Sequence, residues 1–155
     1  MLKKASGIII WSAVKAAGAA VIPVTLVRVP LLTKITANMA TNVMAAYGYE
    51  SLSGLSNFFS IALGAASGVR IANEILARIP GIGSAAASLS TAGLHLFTGA
   101  VLVIVCEMIN AGKISDAELQ DKAFCKLLCS RFVKKASDIV LRLIRGQNPI
   151  ECAYV

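Results

Sequence analysis

The 155 residues contain one histidine, one tryptophan, 6% aromatic and 15% charged side chains. Each scarcity excludes something. A lone His95 leaves a zinc hydrolase without ligands and a Ser-His-Asp arrangement without an assignable base. Glu50, Glu74 and Glu107 are the only acidic residues before position 113, too dispersed for a general acid/base pair. There is no GxxxxGK[ST] loop and no GxGxxG after a strand, hence no nucleotide cradle. No pair of cysteines has CxxC spacing. The sequence therefore predicts a protein that is not an enzyme and uses no cofactor or metal.

Charge is scarce because apolar residues are abundant. They make up 57% of the chain, and the mean hydropathy is +0.75. A soluble domain carries about 25% charged residues, and disorder needs low hydrophobicity. Seven basic and three acidic residues lie in 1–112, against eight and five in 113–155. The expected organisation is an apolar helical domain over 1–112 followed by a basic amphipathic tail over 113–155. The net charge of +7 is not clustered with aromatics, and no nucleic-acid-binding pattern appears, so nucleic acid is not expected as a partner. A basic tail beside apolar helices reads as the cytoplasmic side of a membrane protein.

Four long stretches have little charge. Ile79–Cys106 has none over 28 residues, Ser51–Val69 none over 19, and Ile35–Tyr49 none over 15. Ala5–Val29 is interrupted by Lys15, Pro23 and Arg28. A bilayer-spanning helix needs about 20 apolar residues, so two segments, all four, or none as inserted hairpins satisfy the lengths. Lys3, Lys4 and the tail all favour the cytoplasm, which implies an even number of crossings or none. The start imitates a signal peptide, but its apolar run is too long and no polar domain follows. Cys152-Ala153-Tyr154-Val155 has the spacing of a prenylation box, with Tyr154 a poor fit at an aliphatic position.

Segment by segment, Pro23 and Pro30 are expected to kink or end a first helix from Leu2. A second helix, about Leu31–Tyr47, closes at Gly48. A third, from about Leu52, carries Gly64, Gly68 and Ala72 at intervals of four, a spacing that lets helix backbones approach closely. Pro80, Gly81 and Gly83 form a turn into a fourth helix, Ser84–Asn110, closed by Gly112. The third and fourth would pair as a hairpin. Ser115-Asp116-Ala117-Glu118 is a capping box for a fifth, basic helix. Its apolar stripe begins with Leu119, Ala123, Leu127 and Leu128, with a break near Ser137 and a stop at Gly146 and Pro149. The expected fold is all-α: about five helices, two tight hairpins and a C-terminal amphipathic helix, membrane-associated.

Polar residues inside apolar helices need partners. Asn38, Asn42, Arg70, Glu74 and His95 are the candidates for a polar path. The plainer alternatives are an end-of-helix pair for Arg70 and Glu74 and a neutral packed imidazole for His95. Lys122, Lys126, Lys134, Lys135, Arg142 and Arg145 are the candidate contacts to lipid headgroups or a partner. Cys125 and Cys129, four apart, share a helix face and read as small apolar packing residues in a reducing compartment.

The order Met39…Met44-Ala45-Ala46-Tyr47-Gly48, then Ile79-Pro80-Gly81-Ile82-Gly83 and a helix with Thr91, Thr98 and Gly99, carries a resemblance. Over roughly Lys15–Gly112 the chain resembles the hydrophobic helical domain of YcjF-type membrane proteins, also found after the GTPase domain of some bacterial Era-like GTPases. The resemblance implies membrane association and a separate GTPase as partner, since the chain has no GTPase domain. The expected role is a membrane-inserting, self-associating, homo-oligomeric module that scaffolds or shapes a bilayer or anchors a partner. An oligomeric pore and a soluble or switchable self-assembling oligomer are the alternatives.

Overall fold

A computed structural model describes residues 1–20, 25–50, 53–66 and 86–152. These form α1 (Leu2–Ala20), α2 (Thr25–Ala46), α3 (Ser53–Ala66), α4 (Ala86–Asn110), α5 (Lys122–Lys134) and α6 (Ala136–Ile144). Short 3₁₀ turns lie at Glu118–Gln120 and Pro149–Cys152. The fold is all-helical, with six helices rather than about five among the described residues.

The sequence explains where helices stop. Gly48, Gly112 and Gly146 have φ of +83°, +66° and +68°, a region that costs an L side chain but not glycine. Each donates to the carbonyl three residues back, and the next residue donates to the carbonyl five back. The bonds are Gly48 to Ala45 with Tyr49 to Met44, Gly112 to Ile109 with Lys113 to Met108, and Gly146 to Leu143 with Gln147 to Arg142. These are Schellman closures, which satisfy carbonyls left open at a helix end.

Three boundaries depart from expectation. Pro30 does not separate the first two helices; it lies inside α2, which already begins at Thr25. Being near the start, it forfeits one bond, to the carbonyl of Leu26, and the helix continues. The capping box forms, with Ser115 N donating to Glu118 Oε2 at 2.7 Å and Glu118 N to Ser115 Oγ at 3.3 Å. It caps only the 3₁₀ turn, however. The long helix starts at Lys122, where Asp121 Oδ1 accepts from Ala123 N at 2.8 Å. The break expected near Ser137 falls at Lys135, whose φ and ψ of −115° and 15° end α5 and begin α6.

α4 is the centre. It packs most extensively on α1 and also touches α2, α3 and α6. Its stretch from Ala100 to Cys106 is buried all round. Thr91–Asn110 is long and apolar enough to cross a membrane, yet 78% of its most apolar window is buried inside the molecule. α3 joins α4 to α5. Phe58 and Phe132 meet edge to face at that seam, ring centres 6.4 Å apart, a preferred aromatic geometry. The buried residues of 1–112 and 113–155 form one continuous core, from Ala5 and Ile9 to Ile139 and Leu143. The tail is thus packed into the bundle, and residue 112 does not divide two cores. In α5 the buried stripe is Cys125, Leu128, Cys129 and Phe132, whereas Ala123 and Leu127 of the expected stripe face outward. The buried face is the one turned to α3, where Phe132 meets Phe58.

Candidate membrane-contact surface

On α1 the residues facing out recur every three or four positions: Lys3, Lys4, Gly7, Ile10, Trp11, Val14, Lys15 and Gly18. The opposite face, with Ala5, Ile9, Ala13 and Ala16, is buried. Small alanines let α1 lie close on α4. Gly99 makes room for Ile9: a Cβ there would stand 2.7 Å from Ile9 Cγ1 and Cγ2. The helix is therefore held by its small face and presents its large residues outward. Trp11 is 60% exposed, Val14 55% and Ile10 36%. Lys15 Nζ lies 5.4 Å from the Trp11 ring centre, within cation–π range.

The electrostatics of this surface have one sign. Residues 1–49 contain five basic side chains and no acidic one. Lys34 and Leu31 of α2 are also exposed. Lysine stems beside an exposed tryptophan form an amphipathic surface whose apolar part is flanked by cation.

The residues proposed from sequence divide differently. Asn38 and Asn42 are exposed on α2, whereas His95 is buried. Asn38 and Asn42, four apart, thus lie on the outer side of α2 and His95 in the interior, and Arg70 and Glu74 lie outside the described residues. Gly64 is exposed, and among the described residues none would meet a Cβ there within 4 Å. Gly68, Ala72, Pro80, Gly81 and Gly83 lie outside the described residues, as does the hairpin turn they would form. Lys122, Lys126 and Lys134 are exposed on α5. Lys135, Arg142 and Arg145 gather instead around a surface cavity of about 500 Å³, with Asp138 and Glu151 on its wall. Arg142 Nη1 bonds Glu151 Oε2 there.

Comparison with protein-family models, curated proteins and solved structures gives no match.

Polar contacts also join parts of the chain that lie far apart in sequence. Asp116 Oδ1 accepts from Leu55 N at 3.0 Å, so a carboxylate 61 positions along the chain caps α3. Gly54 is required by that approach, since a Cβ would sit 2.0 Å from the Asp116 carbonyl oxygen. Asn57 Nδ2 donates to the Leu119 carbonyl at 2.8 Å. Tyr47 donates to Glu107 Oε1 at 2.7 Å and Tyr49 to Asn110 Oδ1 at 2.5 Å. Burial and the adjacent Glu107 push the Tyr47 hydroxyl pKa far up. Cys106, Cys125 and Cys129 are buried free thiols. Burial pushes Cys106 and Cys129 up to about 12, which leaves them inert rather than nucleophilic. Among the described residues no group of three metal-ligating side chains assembles.

Proposed function

We propose that this chain is a non-enzymatic membrane-binding module that attaches reversibly to anionic bilayers through the outer face of α1. The observation that carries this reading is the stripe Ile10, Trp11 and Val14, turned outward and bracketed by Lys3, Lys4 and Lys15. An interfacial helix uses such a surface: apolar side chains enter the headgroup boundary while cations engage lipid charge. Burying the exposed parts of the three apolar side chains is worth on the order of 2–3 kcal/mol. Three lysines near an anionic surface add about 1 kcal/mol each. The total suits reversible attachment rather than permanent insertion. The resemblance drawn from sequence points the same way, toward a membrane.

Two features favour this attachment over a crossing or a homodimer through the same face. The most apolar helix, α4, directs most of its surface inward. Two α1 faces brought together would set lysine near lysine with no acid on either, a repulsion that an anionic bilayer turns into attraction.

Trp11 is the sole tryptophan, so its fluorescence reports on this face alone. Titrating the full chain with phosphatidylserine-containing vesicles at low salt is expected to shift Trp11 emission to the blue and pellet the protein with the vesicles. Raising the salt or washing with alkaline carbonate is expected to release it. Unchanged emission and no pelleting would refute attachment through α1. Carbonate-resistant retention would replace it with integral insertion.

A further inference from the structure

Three polar contacts run in series from α4 to α2. His95 Nδ1 lies 2.8 Å from the Thr91 carbonyl oxygen, His95 Nε2 lies 2.8 Å from Thr36 Oγ1, and Thr36 Oγ1 lies 2.8 Å from the Leu32 carbonyl oxygen. Thr36 and His95 are buried, His95 to 3% exposure, so water does not make up a shortfall at the ring.

The hydrogens can be counted. Both ends of the series are carbonyl oxygens, which only accept. Each contact needs one hydrogen, so three are required. A neutral imidazole brings one and the Thr36 hydroxyl brings one. Whichever tautomer forms, one contact is left as two facing lone pairs. An imidazolium brings two N–H groups. Nδ1–H then donates to Thr91, Nε2–H donates to Thr36 Oγ1, and the hydroxyl donates to Leu32. We propose that His95 and Thr36 form a proton-uptake site that couples acidification to the α2–α4 contact, the incoming proton supplying the hydrogen the neutral series lacks.

The surroundings decide when the proton enters. On α1 the titratable groups are Lys3, Lys4 and Lys15, all on the outer face; on α2 Lys34 is exposed and Arg28 stands about 12 Å along the axis from Thr36, at 1.5 Å per residue. Described α3 has none. On α4 itself, Glu107 stands about 18 Å along the axis from His95, at 1.5 Å per residue. On α6, Asp138 is exposed and Arg142 engages Glu151. None of them moves His95; burial lowers its pKa below the usual 6.5, partly offset by the bond to Thr91. The site is neutral at pH 7 and fills below neutrality. This inference does not depend on membrane attachment.

The test is the sign of a shift. His95 is the only histidine, so one imidazole signal in NMR gives its titration. Thr36→Val removes the hydroxyl with little change of volume. If Thr36 accepts from the imidazolium, the variant's His95 pKa falls, on the order of one unit, and Thr36→Ser restores it. If Thr36 serves only as a donor to a neutral ring, the pKa rises; a rise or no change overturns the proposal. Should Thr36→Val fail to fold, the unsubstituted protein decides through its ring ¹⁵N shifts. Titration within the folded state, with both nitrogens protonated below the midpoint and Nε2–H protected from exchange, supports the site. Acid unfolding with His95 neutral throughout overturns it.

Discussion

At the scale of single residues, glycines separate into three uses. Gly48, Gly112 and Gly146 end helices, and all three ends are legible in sequence because the requirement is local. Gly54 and Gly99 admit a neighbour, and nothing near them in sequence says so: their partners, Asp116 and Ile9, come from distant parts of the chain. Gly7 and Gly18 face outward with open space around their Cα atoms. These uses predict opposite responses to alanine. Gly54→Ala is expected to destabilise by about 3 kcal/mol, from backbone overlap with Asp116 and loss of the α3 cap. Gly7→Ala is expected to stabilise by about 0.5–1 kcal/mol, the ordinary helix preference. Urea unfolding of each variant measures both signs. Tyr47→Phe leaves half-buried Glu107 without its hydroxyl donor and is expected to cost about 1–2 kcal/mol, again by urea midpoint.

Elements are legible in the sequence where periodicity is strong, and less so where a local signal has two beneficiaries. The box Ser115-Asp116-Ala117-Glu118 was visible, but sequence does not reveal that Asp116 turns to α3 or that Asp121 starts the long helix. Pro30 was visible as well, but the helix absorbs it because α4 and α1 cover the other face of α2. The caps order the expected losses. Asp121→Ala is expected to cost about 1 kcal/mol and Ser115→Ala less, since it frees only a single 3₁₀ turn; thermal unfolding ranks them. His95 sets the pH dependence between α2 and α4. With its folded-state pKa below 6.5, the unfolded chain takes the proton first. Stability held above about pH 6.5 is lost as pH falls toward the folded value. Urea midpoints between pH 7.5 and 5 are expected to decline for the native protein and to flatten for His95→Gln.

For the whole molecule, composition announced helices and an apolar excess but did not say where that excess goes. A run from Ile79 to Cys106 satisfies a bilayer and a protein interior equally, and only the wrapping by α1, α2, α3 and α6 shows α4 spending most of it inside. The stripe on α1 was hidden in the same apolar background, because Ile9 and Ile10 look alike until one face is covered. Trp11→Ala is expected to weaken vesicle binding about tenfold, and Lys3→Glu with Lys4→Glu to weaken it further at low salt, both read by co-sedimentation. The three described thiols are expected to resist alkylation in the folded chain and to react at once in urea.

The wrapping of α4 also has an order in time. During synthesis α1, α2 and α3 precede it, whereas α6, which covers another side, is made 25 or more residues later. For that interval the growing chain displays a partly clothed apolar helix of spanning length, the very signal an insertion machinery recognises. Whether this protein becomes a bundle or a bilayer resident is thus a race, and the later-made α6 is the runner that closes it.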